Sequence, residues 1–209
     1  MAIITPETVQ QLYALDPIFM EIKNLYGVPE NWQRPPGFIS LCRIVLEQQV
    51  SLESAFATYK KLLEYVDSDF TPQRILQLDD VEMRECYVSR QKASYLRNIA
   101  DAVLAETLIF ERLEEMSDVE VHEYLTKIKG IGKWTANVYL IFVLQRRDIL
   151  PLGDIAVVNT VKELKGATNK EEVGEIGAAW QPLRTVATFF LWHYYLNKRK
   201  RNIDHIYAI

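Results

Sequence analysis

Cysteine is nearly absent from this chain: Cys42 and Cys86 are the only two in 209 residues. Two thiols cannot build a four-cysteine zinc or iron–sulfur centre, so neither is expected. Reduced thiols in a cytoplasmic protein are the simplest reading of so small a number. Long hydrophobic runs are missing too. The longest clean one, residues 138–144, falls far short of the ~20 residues that a membrane span needs. The opening MAIITPETVQ has neither a basic flank nor a long apolar stretch, so no secretion signal is expected there and no membrane partner is assigned. An excess of basic charge is also lacking, since 24 Lys+Arg stand against 28 Asp+Glu for a net charge of −4. That excludes a uniformly basic nucleic-acid coat and leaves local patches open. The three histidines, His122, His193 and His205, show no ligand spacing, and no metal is assigned to them.

What is present reads as an ordinary globular chain, 49% apolar and 25% charged. At roughly 150 residues per domain, the length fits one domain or two compact lobes. Helix start signals are dense. Thr5-Pro6, Asp16-Pro17 and Thr71-Pro72 each place a side-chain acceptor before a proline, the order that suits an N-cap and first helical position. Ser117 and Glu120 have capping-box spacing, and Asn169 with Glu172 repeats it more weakly. Apolar residues recur three and four apart, as in Ala55, Tyr59, Leu62, Leu63 and Val66. Alternating strand patterns are absent. The expectation is an all-α protein of about ten short helices. Two segments interrupt the helical rhythm: ENWQRPPG at 30–37 and DILPLGD at 148–154, the second read as a crossing between lobes. The basic run NKRKRN at 197–202, containing Lys198 to Arg201, reads first as a solvated face, with a DNA contact as the alternative.

The most informative segment is LTKIKGIGKWTANVYL, residues 125–140. A capped helix runs into Gly130-Ile131-Gly132, and a new helix is expected from about Lys133. Gly130 stands where a helix C-terminus favours a left-handed residue, and Gly132 leaves the following amides uncovered. Amides at a helix N-terminus form a small anion site. Lys127, Lys129 and Lys133 surround this one, with no acidic residue between 125 and 135. A tight turn with lysines in water is the plain alternative. The capped helix before, the helix after and the local reversal of sign favour a phosphate contact at Gly130, Gly132, Lys133 and Thr135.

This segment resembles the helix-hairpin-helix motif. Together with LEQQVSLESA (46–55), SRQKASYLRNIADAV (89–103), LPLGD (150–154) and PLRTVATFFLW (182–192), it makes the chain similar to the helix-hairpin-helix, or HhH-GPD, DNA glycosylase superfamily, alkylbase (3-methyladenine DNA glycosylase II) type. The resemblance runs from about residue 36 onward. It implies a two-lobed all-α fold with the active-site cleft between the lobes, one lobe spanning 37–148 and the other 1–36 plus 149–209.

By that resemblance Asp154 is the catalytic carboxylate. Its sequence context alone also makes it a helix N-cap ahead of Ile155, and the two roles are compatible. Breaking an N-glycosidic bond develops oxocarbenium charge on the sugar, which a fixed anion stabilises. The lyase branch, which includes endonuclease III, carries a nucleophilic lysine at the position held here by Trp134, and Lys133 points about 100° away on the helix. Hydrolysis without strand cleavage is therefore expected. Trp134 and Trp192 match aromatic positions that line the base pocket, where a cationic purine gains cation–π attraction. Core packing stays open as the alternative for Trp192. The relatives' pocket tyrosine one turn after Trp134 is matched by Val138, with Tyr139 one residue off. Gln49 corresponds to the residue that fills the gap left by a flipped base, with a polar helix-end residue as its alternative. The family hairpin also often holds a monovalent cation on main-chain carbonyls, here those of Thr126, Ile128 and Gly130. The implied partner is double-stranded DNA with damaged bases, bound by a monomer that associates with the nucleoid. The competing functions are a glycosylase for oxidised or deaminated bases and a non-catalytic helix-hairpin-helix DNA-binding protein.

Overall fold

A computed structural model describes residues 2–201, and its regular structure is entirely helical, with no strand among them. His205, and Asn202 at the end of the basic run, lie outside the described residues. No helix among the described residues is long and apolar enough to cross a membrane. The expected all-α class is what the backbone adopts. Among the described residues there are twelve α-helices and one 3-10 turn rather than about ten helices. The surplus includes α6 (Asp80–Glu85), which is six residues long and too short to display a periodic face, as is α5 (Pro72–Gln77), whose start Thr71-Pro72 marks.

The start signals operate through side-chain acceptors. Thr5 caps α1 (Pro6–Leu15) in a box with Thr8, Thr71 caps α5, and Ser117 with Glu120 boxes α8 (Asp118–Thr126). Asn169 caps α11 (Lys170–Ala178) through the Glu172 amide. At α2 (Ile18–Tyr26) the cap position belongs to Pro17 and not to Asp16, yet Asp16 Oδ1 still accepts from Ile18 N at 3.1 Å. Asp16 also accepts from Trp180 Nε1 at 3.1 Å and pairs with Lys165 at 3.0 Å. Those donors hold its carboxyl below the usual range against the opposing effect of burial.

The chain divides into two compact units. One takes residues 2–33 and 140–201 of those described and is built around α12 (Arg184–Lys198). Helices α1, α2 and α10 (Ile155–Lys165) pack on α12, which buries Val186, Phe189, Phe190 and Leu191. Phe190 meets Phe19 edge-on at 5.8 Å and Tyr13 at 6.0 Å, and Phe19 meets Trp180 at 5.2 Å. Truncating one such ring to alanine removes about 3–5 kcal/mol of stability. Gln145 secures this unit's N-terminal segment: its Nε2 donates to the carbonyls of Trp32 and Ile141, and Asn31, which accepts from Ile3 N and Ile4 N, donates back to it.

The other unit takes residues 34–139 of those described. Its centre is α7 (Arg90–Leu104), against which α3 (Phe38–Leu46), α5 and α6 pack. Helix α4 (Leu52–Tyr65) packs on α3, the 3-10 turn covers Phe110–Glu114, and α8 leads into α9 (Lys133–Phe142). The division runs through α9, between Tyr139 and Leu140, ahead of the 148–154 interruption.

Candidate active site and nucleic-acid interface

In the first unit, the residues before Asp154 are tied to the start of α12. Arg184 grips Asp148 with Nε at 2.8 Å and Nη2 at 2.9 Å, a fork that matches carboxylate geometry. Thr185 Oγ1 donates to Arg146 O at 2.6 Å and accepts from Ile149 N at 2.9 Å. Leu150 then seats on α11 so closely that a Cβ on Gly177 would lie 2.2 Å from its Cδ2. Pro151 O accepts from Asp154 N at 2.8 Å, closing the turn.

This turn delivers Asp154, half-buried and extended at φ −87°, to the head of α10. Three donors converge on its Oδ1: Ala156 N and Val157 N at 3.0 Å each, and Trp192 Nε1 at 3.1 Å. A helix N-terminus and an indole N–H both favour an anion at that point. Trp192 comes from α12 and is only 8% exposed. Phe142 stacks on it at 5.2 Å with planes 19° apart, and Phe189 lies 6.1 Å away. Its ring therefore packs as a core residue does, while its N–H reaches the carboxylate. The second half of that description carries no signature in the sequence, because an indole's hydrogen-bond partner is chosen by tertiary structure.

The glycine hairpin belongs to the second unit. Helix α8 stops at Thr126, so Gly130 is not the residue that ends it, as the sequence suggests, but lies further along the turn. Gly130 has φ +108°, and a Cβ there would sit 2.3 Å from the ring of Tyr95 on α7, so both backbone and space require glycine. Asn98 Nδ2, also on α7, donates to Lys129 O at 2.9 Å, and Gln48 Nε2 donates to Gly130 O at 2.9 Å. Ile131 is buried, and its amide donates to Ile128 O at 3.0 Å. Gly132 is exposed, and its carbonyl accepts from Ala136 N as α9 begins. Lys127, Lys129 and Lys133 are all exposed around the turn. The first amides of a helix have no intrahelical acceptor, and here they open among cations.

Thr135 differs from its neighbours. It is 1% exposed, and its hydroxyl accepts from Gln48 Nε2 at 2.9 Å, so its side chain is engaged inside the protein rather than presented to a phosphate. Trp134 is half-buried on the first turn of α9. Val138 and Tyr139 are both buried. Tyr139 stacks on Phe110 at 6.3 Å, and burial pushes its hydroxyl well above the ordinary tyrosine range. Gln49 is exposed at the α3–α4 turn with φ +57°. Cys42 and Cys86 are buried and not disulfide-bonded, and among the described residues no three His, Cys, Asp or Glu gather as a metal site.

The structure thus joins Asp154 to Trp192 in one unit, and Gly130 to Thr135 through Gln48 in the other. The model of the HhH-GPD superfamily of base excision DNA repair proteins matches residues 42–183, a span that takes in the Gln48–Gln49 turn, the hairpin and Asp154. The chain belongs to that superfamily. Among its relatives, DNA-3-methyladenine glycosylase 1 of Schizosaccharomyces pombe is 30% identical over 191 residues, covering 81% of this chain and 84% of its own length. The alkylbase DNA glycosidase-like protein mag2 of the same yeast is 36% identical over 126 residues, 58% of this chain, and the match spans 59% of the length of mag2. A solved S. pombe 3-methyladenine DNA glycosylase (Mag1) in complex with abasic DNA has a TM-score of 0.81 at 28% identity, covering 92% of this chain and 97% of that one.

Proposed function

We propose that this chain is a monofunctional DNA glycosylase that flips alkylated purines of the 3-methyladenine and 7-methylguanine type out of double-stranded DNA and hydrolyses the base–sugar bond, beginning base excision repair. The observation that carries the reading is Asp154, a carboxylate held by two main-chain amides and the Trp192 indole on one oxygen. Superfamily membership and the names of the relatives support the substrate class.

The chemistry is short. An N-alkylated purine carries positive charge, so when the C1′–N bond breaks, its electron pair neutralises the departing base and no strong general acid is required. Positive charge appears on the sugar, and Asp154 stabilises it. Water adds at C1′ and gives its proton to the carboxylate or to solvent, leaving a free base and an abasic sugar. Trp192 is a positioning residue for Asp154 in this scheme. Trp134 offers a π face to a cationic base, an attraction of about 0.5–2 kcal/mol. It also occupies the place of the lyase nucleophile, so no Schiff base forms. Gln49 fills the gap in the duplex, while the α9 amides, Gly130, Gly132 and Lys133 hold the backbone. By resemblance the carbonyls of Thr126, Ile128 and Gly130 would hold a monovalent cation; Ile128 O already accepts from Ile131 N and Gly130 O from Gln48 Nε2, and each keeps a second lone pair. Such an ion would add positive charge beside a phosphate.

The test is base release from duplexes carrying 7-methylguanine, 3-methyladenine, hypoxanthine or 8-oxoguanine, run beside borohydride trapping on abasic DNA. Free methylated purine with no trapped adduct supports the proposal. A covalent adduct, or preference for the oxidised or deaminated base, contradicts it.

A further inference from the structure

The turn that carries Gln49 is tethered residue by residue. Leu46 O accepts from Lys92 Nζ at 2.7 Å. Glu47 is held by both terminal nitrogens of Arg34, at 2.6 and 3.2 Å, and the pair is buried. Gln48 donates through Nε2 to Gly130 O and to Thr135 Oγ1, at 2.9 Å each, across 82 and 87 residues of sequence. Only after these three tethers does Gln49 turn outward, and Ser51 then caps α4. Gln49 sits at φ +57°, a conformation that a side-chain-bearing residue seldom takes without support. A primary amide has two N–H groups, and in Gln48 both find acceptors on the glycine hairpin.

We infer that Gln48 is a positioning residue: its amide locks the Gln49 turn to the glycine hairpin, so that the gap-filling side chain and the phosphate grip are presented together. Gln48 spends its own polar group inside the protein and acts on DNA through Gln49. This rests on the proposed function, in which Gln49 occupies the space of an everted nucleotide. The plug matters most when the lesion faces an intact partner base, because the paired duplex is the one that resists opening. A lesion opposite an abasic site gives up less pairing on eversion, so it depends less on the plug.

The readout is the ratio of kcat/KM on a paired 7-methylguanine duplex to that on the same lesion opposite an abasic site. Gln48→Met keeps the side chain's length and removes both donors. It should lower that ratio about tenfold, the effect of one part-buried hydrogen-bonding unit left unmade. Gln48→Glu keeps the shape but sets a carboxylate against the Gly130 carbonyl, and it should lower the ratio further while thermal melting confirms the fold. Gln49→Ala should show the same bias, and the Gln48→Met/Gln49→Ala double variant should lose no more than the worse single one. A wild-type ratio in both Gln48 variants, or additive losses in the double variant, overturns the inference. Failure of the underlying reading looks different: the unaltered protein releases no base, or Gln49→Ala leaves the ratio unchanged.

Discussion

Around Asp154 the held object is a charge, whereas at the glycine hairpin it is the main chain. Two amides and an indole fix one carboxylate oxygen in the first unit. In the second, Gln48 and Asn98 bind hairpin carbonyls, and Tyr95 occupies the space a Cβ at Gly130 would need. In the proposed enzyme the first arrangement would aim a negative group at developing positive charge. The second turns peptide carbonyls inward onto side chains, leaving Lys133 at the start of the next helix, with Lys127 and Lys129 on the turn, exposed. In the proposed enzyme one region accordingly sets the rate of bond cleavage, and the other sets how tightly the strand is gripped.

Substitutions should separate these two roles, and the largest effect belongs to the charge. Asp154→Asn is nearly isosteric and keeps a cap acceptor, so it should lower base release by about 10²–10⁴-fold while leaving duplex affinity near that of the wild type. Gly130→Ala comes next. It combines a positive φ with a clash against Tyr95, and the backbone strain alone costs about 1–3 kcal/mol. Duplex affinity, read by fluorescence anisotropy, should fall by about tenfold to a hundredfold on that strain alone. Release at saturating enzyme should fall much less. An equal loss in both readouts would merge the two regions into one. Trp192→Phe retains an aromatic ring against Phe142 and deletes the N–H to Asp154. Its expected effect is about a tenfold drop in release with unchanged affinity, since a hydrogen bond to a charged group contributes about 1.5–3 kcal/mol. Lys133→Ala should be mildest, reducing the slope of log affinity against log salt by about one. An unchanged slope would remove Lys133 from the grip.

Local signals carried much of this architecture. Thr5, Thr71, Ser117 and Asn169 announced helix starts because a cap is a matter of neighbours in sequence. Asp154 was visible as a cap, which the fold shows it to be, and the two glycines were visible as a corner; its role as the reacting carboxylate belongs to the proposed function. What stayed hidden depends on distant partners. Arg34 lies in a proline-rich loop whose sequence names no partner for it, yet it is 1% exposed and paired with Glu47. Gln48 looks like any polar helix-end residue until Gly130 and Thr135 arrive beside it. The end of α8 at Thr126 was read too late because Gly130, a strong stop signal, is required by Tyr95 and not by that helix. Trp192 reads as base pocket or as core, and the fold packs its ring on Phe142 while turning its N–H to Asp154.

The most direct test is single-turnover release of 7-methylguanine by Asp154→Asn, with enzyme in excess of Kd for the same duplex. The account predicts full occupancy and release about 10²–10⁴-fold slower than the wild type. Full occupancy with wild-type release would contradict it.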